Sequence, residues 1–249
     1  MGMDLNKDID QYIEENNIEF LDLGASKGGS IDFAQKYFCI DSGNGLGIDI
    51  DQSKILIMKK AGYNAFHANV IDLQLENKVR FTIMSHFLEH ISNMDDVANI
   101  LDVTADNSRD FFYIQQPFFD ADGFLFSKGL KFYWSFWTGH PNHMLAIEFH
   151  QLLMKMLYTN KISRYALYGF KTVCDSTNEK IHPLMANIDE HDYDSKKHPP
   201  KDMSIIFPDE IDVFFEIRVL VTINDNVDFD ILESQFQWDK KLYDSSHIK

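Results

Sequence analysis

The chain has 249 residues, 45% hydrophobic and 25% charged, with a formal net charge of −16 at pH 7. That is ample apolar mass for one globular core, while the acid excess weighs against long nucleic acid, whose binding wants a basic footprint. No run of about 18 apolar residues argues for a transmembrane helix, Met1 to Asn17 has no signal-peptide apolar core, and two cysteines make no disulfide framework. A soluble, cytoplasmic protein without a membrane span is expected, with Cys39 and Cys174 as small buried hydrophobes in a reducing compartment.

Leu5 to Asn17 patterns as a short acidic helix with Ile9, Tyr12 and Ile13 on one face. Next comes Ile-Glu-Phe-Leu-Asp-Leu-Gly-Ala-Ser-Lys-Gly-Gly-Ser, from Ile18 to Ser30. Its apolar run, Phe20 to Leu23, is too short for a helix and suits a buried strand. The run breaks at Gly24 and resumes after Gly28 and Gly29 as a helical pattern in Ile31, Phe33, Ala34 and Phe38. Strand, glycine turn and helix in that order build a nucleotide-binding crevice at the carboxyl end of a parallel sheet. A loop containing Gly43 and Gly45 leads to a second strand, Leu46 to Ile50, and Asp51-Gln52-Ser53 starts the next helix. Asn64 to Ala68 and Val79 to Met84 read as the third and fourth strands, Asn93 to Leu101 as a helix, and Phe111 to Gln115 as a fifth strand stopped by Pro117. This alternation predicts right-handed crossovers and a parallel sheet covered on both faces.

After Pro117 the rhythm is lost. Residues 117 to 143 read as an inserted aromatic lid, with Tyr133, Trp134 and Trp137 either walling a pocket or packing the lid down. Glu148 to Tyr158 is helical again, Ile162 to Phe170 is strand-like, and residues 174 to 209 form a long polar loop with Pro183, Pro199 and Pro200. Within Glu210 to Ile223, alternation of Val213, Phe215, Ile217, Val219 and Val221 predicts a late antiparallel strand. With no repeats and no linker, residues 1 to 249 read as one domain.

Two carboxylates frame the glycine turn. Asp49, ending the second strand, stands where an acid accepts hydrogen bonds from both ribose hydroxyls of a nucleoside. Asp22, just before Gly24, would hold the turn or meet a cationic ligand through water. Farther on, His86, Glu89 and His90 share a face if the segment is helical. The His-x-x-Glu-His pattern is also that of a class of zinc peptidases, but there it lies within a long helix, whereas here it follows a strand end.

Phe-Leu-Asp-Leu-Gly-Ala-Ser-Lys-Gly (Phe20–Gly28), Gly-Ile-Asp (Gly47–Asp49) and Ser-His-Phe-Leu-Glu-His-Ile (Ser85–Ile91) follow one another along the chain. In these blocks the chain resembles the class I S-adenosylmethionine-dependent methyltransferases, over roughly residues 18 to 155. The resemblance implies a Rossmann-like α/β fold: a mostly parallel seven-stranded sheet, helices on both faces and a late antiparallel strand. It implies S-adenosylmethionine as cofactor, its methionine end held by Gly24, Ala25, Ser26 and Gly28. Asp49 would meet the ribose and Asn69, Val70 and Asp72-Leu73 the adenine edge, with Asp22, Ile50 and Ser85 completing the set. Ser26 stands where many members carry glycine and is small enough to fit. A nicotinamide oxidoreductase would read Gly24, Ser26 and Gly29 as an imperfect Gly-x-Gly-x-x-Gly, which leaves Asp22 and Leu88-Glu89-His90 without a role.

Within the family, ubiquinone-pathway O-methyltransferases and small-RNA 2′-O-methyltransferases carry a similar Glu-x-x-Glu-His that helps bind a divalent metal. The resemblance thus implies His86, Glu89, His90 and His143 as metal ligands, with histidine at the first position softening the ligand preference. In many metal-free members the tripeptide only braces its loop, and that reading stands beside the metal one. On either, Glu89, His90 and His143 are the candidate catalytic groups, since an unperturbed imidazole titrates near neutrality and can serve as general base. The expected reaction is O-methylation of a small-molecule or glycan hydroxyl. An RNA-end 2′-O-methyltransferase, and a non-catalytic binding module retaining the fold, are the alternatives.

Overall fold

The computed structural model describes residues 5–38, 44–187 and 190–248. The chain opens with α1 (Leu5–Glu15), β1 (Ile18–Leu23), α2 (Gly29–Phe38), β2 (Asn44–Asp49), α3 (Gln52–Ala61), β3 (Asn64–His67), β4 (Val79–Ser85), α4 (Met94–Asn107) and β5 (Ser108–Pro117). It continues with α5 (Asp122–Ser127), β6 (Leu130–Phe132), α6 (Ala146–Tyr158), β7 (Arg164–Thr172), β8 (Ile181–Pro183), β9 (Phe214–Thr222), α7 (Phe229–Glu233) and β10 (Lys240–Asp244). The five expected parallel strands lie where the sequence places them, each within a few residues. Of the predicted glycine loop, Gly43 lies outside the described residues, as does Cys39; Cys174, expected to be buried, is exposed.

The main sheet has eight strands in the order β10-β7-β9-β5-β4-β1-β2-β3, one more than expected. β1 to β5 pair in parallel; β9 runs antiparallel to both β5 and β7, and β10 antiparallel to β7. The extra strand is β10, Lys-Lys-Leu-Tyr-Asp, which has no apolar alternation to announce it. Its end is held by charge, Arg164 donating to Asp244 at 3.1 and 2.8 Å. β6 and β8 pair as a separate two-stranded sheet, with Lys131 opposite His182, and so join residues 117–143 to the long segment after β7.

Alternation along β1 sends Leu21 and Leu23 to one face of the sheet and Phe20 to the other, each into its own core. On the second face Phe20, Phe81 and Phe111 are register partners on β1, β4 and β5. Their rings stack at 4.8 and 4.7 Å, cross-strand pairs each contributing about 0.5–1.5 kcal/mol beyond burial. This ladder locks the register of the three strands whose carboxyl ends carry the site. No helix among the described residues is long and apolar enough to cross a membrane.

Candidate functional site

A cavity of about 340 Å³ opens at the carboxyl ends of β1, β2 and β4. Gly24, Ser26, Asp49, Ile50, Asn69 and Val70 line it, and His86 and His90 close its far end. Six of the expected cofactor residues thus share one space. Gly24 needs its lack of a side chain twice over: its φ is +71°, and a Cβ there would lie 2.2 Å from the Phe87 ring. Phe87 therefore covers part of the bend and is itself a wall of the cavity.

Ser26 has φ +49°, a left-handed conformation costing a side-chain-bearing residue about 1 kcal/mol. Its tolerance comes from bonding more than from size. The Ser26 N–H donates to Asp49 Oδ2 at 2.9 Å, and a bond to a carboxylate offsets that cost. Asp49 Oδ1 accepts from its own chain at Asp51 N (2.8 Å), and Lys54 Nζ stands 3.8 Å from Oδ2. The carboxylate is thus fixed in place by both β-strand ends before any ligand arrives. Asn69 caps the short turn Val70–Asp72, its Oδ1 accepting from Ile71 N at 3.4 Å.

Four expected cofactor residues stand behind the lining. Ala25 is buried against the Gly47 backbone. Gly28 (φ +92°) packs under Tyr63, whose ring would lie 2.8 Å from a Cβ, so this glycine serves a turn and an aromatic contact. Ser85 accepts from Gln115 Nε2 at 2.8 Å. Asp22 is fully buried; Ser30 Oγ donates to its Oδ2 at 2.5 Å while Oδ1 has no partner. Burial pushes Asp22 up to about 7, the Ser30 bond pulling the other way and Asp49 adding to the rise. Sequence reasoning missed Lys54, Ile71, Phe87, Ile91 and Ile100, which also line the cavity. Lys54, on the first turn of the helix after Asp49, was visible as a cation beside that acid; the aliphatic residues carry no comparable signal.

Beyond His86 the chain makes a single 3₁₀ turn, Leu88–His90, not the α-helix that a shared face requires. His86 is itself strained at φ +51° and its Nδ1 lies 3.4 Å from Glu89 Oε1. Burial pulls the His86 pKa down, but the Glu89 contact outweighs it and the net shift is upward. Glu89 is fully buried and neither carboxylate oxygen has a hydrogen-bond partner. His90 Nδ1 donates to Gly139 O at 2.5 Å, which leaves the Nε2 lone pair free to ligate.

The third member of the cluster is His140. Ligand atoms of Glu89, His90 and His140 all lie within 4.8 Å of one another. His140 Nδ1 is buried without a partner, and burial pushes its pKa down to about 4 against the pull of Glu89, so the ring is neutral. His143 is elsewhere: its Nδ1 is 3.5 Å from Asp122 Oδ2 and its ring stacks on Phe119 at 4.3 Å. The reason is the intervening bend, where Asn142 N–H donates to Glu89 O at 3.2 Å and turns His140 inward and His143 toward Asp122. The structure thus brings His140, and not His143, together with Glu89 and His90. Two imidazoles and a carboxylate whose oxygens are otherwise orphaned fit a divalent transition metal.

No family model and no curated protein matches the chain. Solved structures do. A SAM-dependent methyltransferase from Archaeoglobus fulgidus is 12% identical, with 87% of this chain and 94% of that chain covered at a TM-score of 0.56. The plantazolicin methyltransferase BpumL, in complex with a triazolic desmethylPZN analog and SAH, is 13% identical, with 87% and 82% covered at a TM-score of 0.51. The chain has the Rossmann-like fold of the S-adenosylmethionine-dependent methyltransferases, with eight strands in its main sheet.

Proposed function

We propose that the protein is an S-adenosylmethionine-dependent methyltransferase acting on a hydroxyl of a small molecule or glycan. The observation that carries this reading is the placement of Asp49: a pre-positioned carboxylate at the end of β2, lining a nucleoside-sized cavity whose other wall is the Gly24–Ser26 bend. Asp49 would take the ribose hydroxyls, Asn69 and Val70 the adenine edge, and the bend the methionine end. The cofactor, when bound, supplies an electrophilic methyl group. The chain's own part is to align an acceptor with it, exclude water and remove a proton.

His90 lines both the cavity and the histidine cluster, with Nδ1 anchored on Gly139 O, so its Nε2 is the group placed to take the acceptor proton. Glu89, His90 and His140 would hold a divalent metal, which supplies charge stabilisation to an acceptor oxygen; where metal occupies Nε2, the strained His86 next to it is the remaining imidazole. The RNA-end reading shares this cluster, but the −16 charge opposes it.

Calorimetry tests the first step. S-adenosylmethionine and its demethylated product are expected to bind, and Asp49→Ala to weaken both by more than roughly tenfold, as expected when a charged hydrogen-bond partner goes. No binding at millimolar ligand would make the chain a non-catalytic module on this fold. For the metal, Co²⁺ titration followed by visible absorption is expected to give a ligand-field band that His140→Ala abolishes and His143→Ala preserves. The opposite pattern would restore His143 as the ligand.

A further inference from the structure

The aromatic insertion, residues 117 to 143, holds a cavity of its own, about 240 Å³, and shares none of its lining with the crevice. An engineered cavity of about 150 Å³ admits benzene, so this one has room for a ring and a short chain. Phe126, Leu130 and Phe136 form its apolar walls. The two phenylalanines are 61% and 47% exposed. Single exposed apolar side chains are ordinary, but two aromatic rings on one cavity make a patch that an apolar ligand would cover.

Lys131, on β6, is an independent observation at the same place. It is buried, its Nζ donates to Ala186 O at 2.6 Å, and that Nζ lies 5.4 Å from the centre of the Phe136 ring, which puts the ammonium at the cavity wall. An ammonium carries three donors, and this one has a single hydrogen-bond partner among the described residues. Burial lowers its pKa, with no acid pulling the other way. A buried charge is costly unless paired, and a chain with 39 acidic residues has no shortage of acids to supply. The one carboxylate on the cavity is engaged elsewhere: Asp122 Oδ1 accepts from Ser135 Oγ at 2.7 Å, and Oδ2 stands 3.5 Å from His143 Nδ1. Burial pushes Asp122 up to about 6, with the Ser135 bond opposing, and the charge that acts on it is Asp120 rather than Lys131. Burial also outweighs a main-chain bond at His143 and lowers its pKa, so that ring is neutral near pH 7 and Lys131 is the cavity's one cation.

We propose that this cavity is a second ligand site, taking a small organic anion with an apolar body, namely an aryl or short acyl carboxylate. The ring or chain lies against Phe126, Leu130 and Phe136, and the carboxylate accepts from Lys131 Nζ. The pairing gives the ammonium the counter-ion that the fold omits and covers both exposed rings. A single ammonium among apolar walls matches one negative charge better than the two of a phosphate monoester. The inference stands apart from the methyltransferase reading, since neither the crevice nor the cluster of Glu89, His90 and His140 contributes a residue to it.

Calorimetry of the full chain at pH 7 with 3-phenylpropionate, 3-phenylpropionamide and 3-phenylpropylamine, which share one apolar body, tests the charge directly. The carboxylate is expected to bind at least about tenfold more tightly than the amide, the difference a hydrogen bond to a charged group makes, with the amine weakest. Lys131→Met keeps an unbranched apolar stem and removes the ammonium, and is expected to bring the carboxylate down to the level of the amide. Phe126→Ser, at an exposed position, is expected to weaken acid and amide alike by about threefold or more while leaving their ratio unchanged. An amide that binds as tightly as the acid overturns the proposal, and so does an acid that fails to bind at millimolar concentration. Tighter binding of the amine would hand the site to Asp122, and a preference for the acid that survives Lys131→Met would place the anion elsewhere; either also overturns it. The wild-type comparison of acid and amide decides by itself should Lys131→Met fail to fold.

Discussion

The stretch from β1 to β5 and the stretch from Phe118 to Val213 are of similar length, yet they are organised by different forces. The first is governed by periodicity: strands alternate, glycine takes the turn positions of Gly24, Gly28 and Gly62 at φ +71° to +93°, and aromatic rings repeat in register across β1, β4 and β5. The second has only three short or medium elements before β7 and is held by rings and buried cations. His182 and His198 stand 4.9 Å apart, Lys201 Nζ reaches the carbonyls of Asn178 and Ile181, and Tyr133 stacks on His191 at 4.5 Å. The crevice is lined by the first part, while the cluster of Glu89 and His90 beside it draws His140 from the second. A periodic scaffold shapes the crevice, and a region of individual polar contacts stands beside it.

The largest effect that would sharpen this contrast is a pair of glycine substitutions. Gly24 and Gly129 share a φ near +70°, at +71° and +72°. A Cβ on Gly24 meets the near end of the Phe87 ring at 2.2 Å, whereas nothing lies within 4 Å of one on Gly129. Gly24→Ala is expected to cost about 3 kcal/mol or more, strain plus overpacking, and Gly129→Ala about 1 kcal/mol of strain alone. Urea denaturation reads both. Equal losses would mean that the two turns are under the same constraint and the contrast is lost.

What was legible in the sequence follows the same line. Phe20 to Leu23, Gly24 and Asp49 could be placed because strand period and turn chemistry are local properties. The exchange of His140 for His143 could not, because it depends on which way the Pro141–Asn142 bend turns, and that is decided by a bond to Glu89, 53 residues earlier. Gly28 looked like a ligand contact since its need for φ +92° leaves the same mark in sequence as a phosphate cradle; only Tyr63 tells them apart. β10 escaped because charge pairing with Arg164, not apolar alternation, secures its end.

A smaller effect tests the crevice side. Asp22 titrates at about 7 in the fold, against 3.8 for an exposed carboxyl, because it is wholly desolvated. Between those values the native state binds a proton that the unfolded chain has released, so this group's contribution to stability falls as pH rises from about 4 to 7 and is then constant. Asp22→Asn retains an acceptor for Ser30 and has no charge to desolvate. It is expected to raise Tm by about 5 °C at pH 8 and by little at pH 4. A gain that is independent of pH would show that Asp22 is solvated or paired with a cation in the native protein.

The smallest effect belongs to the second region and has the opposite sign. His182 is fully buried and both ring nitrogens lack partners. Burial chiefly, then the nearby His198, Lys201 and Lys131, push its pKa down to about 4 from 6.5. Here the unfolded chain takes up a proton that the native state refuses, so stability is lost as pH falls from about 6.5 toward 4. Asp192 interacts electrostatically with His182, Glu190 stands 3.4 Å from His198 Nε2, and Asp175 acts on Lys201. Loosening is expected to be local, since β8 pairs with β6 in a separate two-stranded sheet and not with the main sheet. Hydrogen exchange corrected for intrinsic rate should show residues 181–187 and 190–198 losing protection between pH 7 and pH 5 while β1 and β4 keep theirs, with a global Tm change of only about 2–4 °C. His182→Leu should remove most of that acid sensitivity. Equal loss of protection in β4 would mean that the two regions unfold as one unit, and the distinction between periodic scaffold and histidine-packed insertion would carry no thermodynamic meaning.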